Sequence, residues 1–171
     1  MFKIVGAILI LFATTWTGFE LAKQLSERPR QLRTLKTALQ SLEAEIMYGH
    51  TPLHEASRRL SQQLSPPISD FFTSFGDKLT QTETTVRDAW EESLKDIWGK
   101  TALKKGEFEI MKQFGETLGR HDRVSQQKQI LLTLTHLERE ETEARDKQVK
   151  YEKMVKSIGF LSGLLLIILL M

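Results

Sequence analysis

Two histidines, His50 and His54, stand four residues apart with Glu55 beside the second, and His121 adjoins Asp122. Imidazoles at that spacing on one helical face can bind zinc. Here Gly49-His50-Thr51-Pro52 reads as a helix boundary, which would put the two rings on different elements. Capping, solvation or a polar contact is the expected role, and no metal is expected. Phosphate chemistry fares no better. Gly99-Lys100-Thr101 has the tail of a phosphate-binding loop without its head, and Gly115-Glu116-Thr117-Leu118-Gly119 has the glycines without the lysine. The 22 Asp and Glu are scattered along helix faces, with no sign of a two-carboxylate site. The chain has no cysteine, which removes thiol nucleophiles, Cys-based zinc sites and iron-sulfur clusters. Neither an enzyme nor a cofactor is expected.

Phe71, Phe72, Phe75, Trp90, Trp98, Phe108 and Phe114 could stack on nucleic acid bases only if Lys and Arg were interleaved with them. They recur at helical spacing instead, which marks a core. A net charge of +2 is also too small to argue for a nucleic acid partner.

The elements that must position these residues begin with two apolar ends, hidden in a mean hydropathy of -0.28. Ile4 to Phe19 carries no charge, follows Lys3, and can be lengthened by Phe2 and Leu21-Ala22 towards the ~20 residues that span a bilayer. A cleaved signal peptide would need a small residue near Glu20, so residues 1–22 read as a retained transmembrane helix. Ile158 to Met171 is the second apolar run. Met154 and Val155 extend it because Lys153 and Lys156 can lay their stems along apolar surface, giving a span over 154–171. Gly159 and Gly163, four apart, offer a close-packing face to another transmembrane helix. Of the 24 Lys and Arg, 23 lie between the two runs, so the positive-inside rule places the middle domain in the cytoplasm.

That middle domain, residues 23–153, reads as helical throughout. Leu32, Leu35, Leu39, Leu42 and Ile46 form one apolar stripe, with Pro29 near its start and Gly49 as its stop. Thr51 reads as an N-cap with Pro52 as first helical residue, followed by Leu53, Ala56, Leu60 and Leu64. Ser65-Pro66-Pro67 breaks the chain before Ile68, Phe71, Phe72, Phe75 and Leu79. Gln-Thr-Glu-Thr-Thr then caps a helix with Val86, Trp90, Leu94, Ile97 and Trp98. A fifth runs from about Leu103 to Leu118 with Phe108, Met111 and Phe114, and Gly119 closes it. The last begins near Asp122 or Ser125, carries Val124, Ile130, Leu131, Leu134 and Leu137, and thins into a charged stalk near 138–153. Pairs such as Glu141 with Arg145 and Glu143 with Lys147 would hold that stalk. The expected fold is all-α: a six-helix antiparallel cytoplasmic bundle between an N-terminal and a C-terminal transmembrane helix.

Counting alternating helices gathers the turns at Gly49 to Leu53, Lys78 to Glu83 and Gly119 to Arg123 at the end away from the membrane. Glu45, His50, His54, Glu116, Arg120, His121, Asp122 and Arg123 there form a candidate partner surface, since exposed charges contribute little to the fold.

Several strings carry a family resemblance: Trp16-Thr17-Gly18-Phe19-Glu20, Glu27-Arg28-Pro29-Arg30-Gln31, Leu42 to Leu53, and Phe114 to Gly119 with Asp122, Gln126 and Gln127. Together they resemble the stage III sporulation protein AB family of endospore-forming bacteria along the whole chain. More loosely, the turn from Gly49 to Leu53 with its helix is similar to the cytoplasmic helical domain of F-type inner-membrane platform proteins of type II secretion and type IV pilus systems. Those carry two copies of the domain and three spans, whereas this chain has one copy and a span at each end. The resemblance implies a platform or adaptor of a secretion-like channel apparatus in the mother-cell membrane around the forespore. The implied partners are a cytoplasmic secretion-type ATPase, other membrane components of that apparatus and the lipid bilayer, with self-association left open. The competing readings are a transmembrane helical-bundle sensor, against which the charge bias argues, and a simple membrane-anchored scaffold.

Overall fold

The computed structural model describes the backbone over residues 2–48, 51–81, 84–118 and 123–170. Within those ranges it describes side chains from 25 to 151 (Arg123 aside) and at Lys23, Met154 and Ile158. Among the described residues there are six helices: α1 (Phe2–Tyr48), α2 (Leu53–Gln63), α3 (Ile68–Lys78), α4 (Val86–Trp98), α5 (Lys105–Thr117) and α6 (Arg123–Leu170). Among the described residues there is no strand.

The two long helices form the spine. Ser26 accepts a hydrogen bond from Gln148 Nε2 at 3.2 Å near one end of their contact, and Glu43 accepts one from Gln127 Nε2 at 3.0 Å near the other. α1 and α6 are therefore antiparallel. Leu32, Leu35, Leu39 and Leu42 bury one face of α1, and Ile130, Leu134, Leu137 and Ala144 bury the corresponding face of α6. α2 to α5 pack in chain order around this pair, each helix against the next, with α5 returning to α6.

Trp90 centres the short-helix core. Its ring meets Phe71, Phe75 and Phe114 edge-on, at centroid distances of 4.8, 4.9 and 5.2 Å, a preferred aromatic geometry. Its indole N–H donates to the Met111 carbonyl at 2.7 Å, so the buried polar atom is satisfied. The aromatic residues spaced along α3, α4 and α5 are thus core, as their period implies.

The structure corrects four local expectations. Pro29 does not open a helix; it lies buried inside α1, which runs unbroken from Phe2 to Tyr48. A proline inside a helix forfeits a backbone hydrogen bond at a cost of about 3 kcal/mol or more, so side-chain ties on either side of it, from Arg28 and Gln31, outweigh the local preference. Thr51 is not the cap of α2. Pro52 stands just outside that helix with ψ 145°, and its carbonyl accepts the N–H groups of Glu55 and Ala56, both at 3.0 Å. Val124 and Leu131 are not core: they are 71% and 51% exposed, because the buried stripe of α6 runs through Ile130, Thr133, Leu134 and Leu137 instead. Finally, Glu141 does not serve the stalk internally but reaches across to α1, while Glu143 does pair with Lys147. Buried Ala144 shows that this stretch of α6 is packed on one side.

The cap of α4 is as expected, with the Thr85 hydroxyl accepting the Asp88 N–H at 3.1 Å. Among the residues whose side chains are described, no helical stretch is long and apolar enough to cross a membrane. The expected spans at 1–22 and 154–171, with Gly159 and Gly163, fall on side chains outside those described, apart from Met154 and Ile158.

Candidate functional site

The far end of the spine is where the C-terminus of α1 meets the N-terminus of α6, at the Glu43–Gln127 hydrogen bond. α5 delivers its C-terminus to the same end, since α6 begins five residues after Leu118. Glu116 on that last turn pairs with Arg87 at 3.4 Å, which adds the start of α4. α2 starts here too, five residues after Tyr48 and one before His54, whose carbonyl lies 3.2 Å from where a Cβ on Gly76 of α3 would sit.

Of the predicted partner-surface residues, Glu45, His54 and Glu116 are half-buried on elements that converge at this end. Glu116 is engaged with Arg87, so its carboxylate is part of the bundle's own surface pairing. Arg123 opens α6, with its side chain outside those described, and His50, Arg120, His121 and Asp122 lie outside the described residues. Sequence reasoning missed Tyr48, 82% exposed at the tip of α1, and assigned Val124 to the core although it stands 71% exposed on the first turn of α6. Both stand on the helix ends that meet at the Glu43–Gln127 hydrogen bond, and aromatic residues are enriched in contact sites.

At the opposite end one network of charges is internal. Arg28, buried on α1, donates Nε to Glu107 Oε1 of α5 at 2.8 Å and Nη2 to Glu140 Oε2 of α6 at 2.8 Å. Glu107 is wholly buried, and its other oxygen accepts the Lys104 N–H at 2.8 Å, closing the first turn of α5. Gln31 Oε1 accepts the Ala102 N–H at 2.8 Å. One turn further along the spine, Glu141 takes Lys36 at 3.1 Å and Arg33 at 3.2 Å. Burial pushes the Glu141 carboxyl up, but the Lys36 ammonium and then the Arg33 guanidinium outweigh it and hold its pKa below the ordinary glutamate value. These groups had a sequence signal. Arg28 lies four residues before Leu32 on the α1 stripe, Glu107 four before Met111, and Glu141 four after Leu137.

A groove of about 330 Å³ runs between α1 and α6, lined in part by Arg33, Lys36, Glu138, Glu141 and Arg145. Its charges are largely consumed by pairing with one another, and it lacks the apolar walls of a small-molecule site. Among the described residues no group of three His, Asp or Glu is arranged to hold a metal.

The family model for stage III sporulation protein AB matches residues 3–171. The chain belongs to the stage III sporulation protein AB family. Its sequence is 60% identical to Stage III sporulation protein AB of Bacillus subtilis (strain 168), over the full length of both chains. A solved structure of Stage III sporulation protein AB is similar to it with a TM-score of 0.70 at 57% identity, covering 72% of this chain and 98% of that one. Membership in the stage III sporulation protein AB family makes the chain a sporulation component, and the all-helical fold is that of the solved relative.

Proposed function

We propose that the chain is a non-enzymatic membrane platform in a secretion-like channel apparatus between mother cell and forespore, and that its helical domain docks a cytoplasmic secretion-type ATPase. The observation that carries this reading is the antiparallel register of α1 and α6, fixed by Ser26 with Gln148 and Glu43 with Gln127. That register leads both apolar runs away from one end of the bundle and leaves the other end free. At 1.5 Å per residue, the 17 residues from Ser26 to Glu43 hold the free end about 25 Å further out. With 23 basic residues between the two runs, that end faces the cytoplasm, where an ATPase can reach it.

The docking face on this reading comprises Glu45, His50, His54, Glu116 and Arg120 to Arg123, with Tyr48 and Val124 as its apolar centre. The full-length chain in detergent, carrying Arg120→Glu and Arg123→Glu, should capture the ATPase at least tenfold less well than wild type while unfolding at the same temperature. Unchanged capture, or capture lost only together with folding, overturns the site. A cysteine placed at Gln81 should resist a membrane-impermeant thiol reagent in intact cells and react after lysis. Labelling in intact cells overturns the orientation.

A further inference from the structure

The turn between α4 and α5 carries Lys100, Lys104 and Lys105, all exposed, and among the described residues no carboxylate pairs with any of them. This is where an incomplete phosphate-loop string stood in the sequence, and nothing in the docking face uses it. Its position is fixed tightly. The Ala102 N–H is held by Gln31 of α1, Glu107 is clamped by Arg28, and an ideal Cβ on Gly106 would lie 4.0 Å from Glu140 Oε1 of α6. The Glu143 carboxyl, held below its ordinary pKa mainly by its hydrogen bond to Lys147, also feels the charges of Arg28 and Lys104. The turn is thus wedged against both long helices at the end from which their apolar runs depart.

We propose that this turn is a basic foot that rests on anionic lipid headgroups. The proposal rests on the membrane reading above and adds a contact that the two apolar runs do not supply. From Gln31 down α1 to Ala22, where the apolar run ends, is nine residues, or about 14 Å. The headgroup layer fills about 5–7 Å of that distance. Lysine stems span most of the remainder, and the whole gap is close to one Debye length of about 8 Å. Exposed Lys23 and Lys150 occupy the same end. The carboxylates there are largely engaged, Glu27 by Arg30, Glu140 by Arg28 and Glu143 by Lys147, leaving Asp146, and Glu109 one turn along α5 from Lys105, without an ion pair among the described residues. A third point of contact would fix the tilt of the bundle, which two helical anchors alone leave free to rock.

The absence of native cysteine makes the test direct. Gly99 is exposed, and a Cβ there meets nothing within 4 Å, so Gly99→Cys can carry an environment-sensitive dye. Gln81→Cys, exposed on the α3–α4 connection, serves as control. The full-length chain is reconstituted into vesicles of phosphatidylcholine, or of phosphatidylcholine and phosphatidylglycerol at two to one. The dye at 99 should shift to the blue only in the anionic vesicles, revert in high salt, and fail to shift when Lys100, Lys104 and Lys105 are all changed to Gln. The dye at 81 should not respond. A chain that co-floats with both kinds of vesicle but gives the same emission from position 99 in each overturns the foot and leaves the membrane reading intact. A chain that co-floats with neither overturns both.

Discussion

Trp90 fills the space that a side chain on Gly115 would need: a Cβ there would lie 2.1 Å from Trp90 Cδ1 and 2.7 Å from Cγ. Real Cβ atoms do not approach ring carbons so closely, and the ring itself is held by four aromatic neighbours and by its bond to Met111. The bulk of Trp90 and the bareness of Gly115 are one feature of the α4–α5 contact.

Gly115→Ala should therefore lower stability by about 1–3 kcal/mol or more through overpacking. Gly99→Ala is the matched control. Gly99 has φ -62° in open space, so the same change should be neutral or stabilising by up to about 1 kcal/mol. Denaturant unfolding of the two variants beside wild type decides; equal effects would mean that Trp90 yields.

The two described tryptophans should respond differently to loss of their N–H. Trp90→Phe removes a bond to the Met111 carbonyl and buried ring volume, a loss of about 2 kcal/mol or more. Trp98 Nε1 is buried without a hydrogen-bond partner, while its ring packs on Phe108 at 5.2 Å. Trp98→Phe should cost under about 1 kcal/mol, because relief of the unmatched N–H offsets the lost contact. Thermal melts of both single variants check the ranking.

Arg28→Met should be among the most damaging substitutions outside the apolar core, at about 3–5 kcal/mol, because it leaves the wholly buried Glu107 without its cation. Adding Glu107→Gln should recover much of that loss, since glutamine can still accept the Lys104 N–H. A double-mutant cycle with no coupling between the two changes would contradict the pairing.

Acid and base should act through different groups. Glu141 has a folded-state pKa below its ordinary value of 4.5, so the unfolded chain binds more protons between those two values. The stability it supplies is complete above about pH 4.5 and is lost as pH falls through the folded pKa; Glu141→Gln should flatten that limb of a stability-against-pH curve. Lys78 runs the other way. Burial lowers its pKa, but the hydrogen bonds to Asp96 and Glu92 outweigh this and raise it above 10.5. Its contribution is complete below 10.5 and is lost above, so Lys78→Gln should flatten the alkaline limb.

The helices were legible because their apolar residues recur with helical period, and the breaks at Ser65-Pro66-Pro67 and at Thr85 carry strong local chemistry. Pro29 misled for the same reason in reverse, since local preference yields where side chains on both flanks are tied to distant helices, while at Thr51 the helix begins two residues later, with the Pro52 carbonyl accepting the N–H groups of Glu55 and Ala56. Arg28, Glu107 and Glu141 occupied stripe positions in plain view. Their partners lie 79 to 112 residues away, and a stripe names a buried face without naming what meets it. Val124 and Leu131 show the limit of the stripe itself: α6 has apolar residues on more than one face, and only packing decides which is covered. On the candidate partner surface, charged turns were readable from sequence, but the exposure of Tyr48 was not, because an aromatic at a helix end fits a core equally well.

The pairing of α1 with α6 also sets a schedule for synthesis. Arg28 leaves the ribosome long before Glu140, which lies 112 residues further along the chain. At about 5–20 residues per second that interval lasts roughly 6–22 s. For that time Leu32, Leu35, Leu39 and Leu42 are without the helix that covers much of their face, and only α2 and α3 can shelter them. A nascent chain stalled before α6 should thus be a client for chaperones, and the last helix to be made is the one that completes the spine.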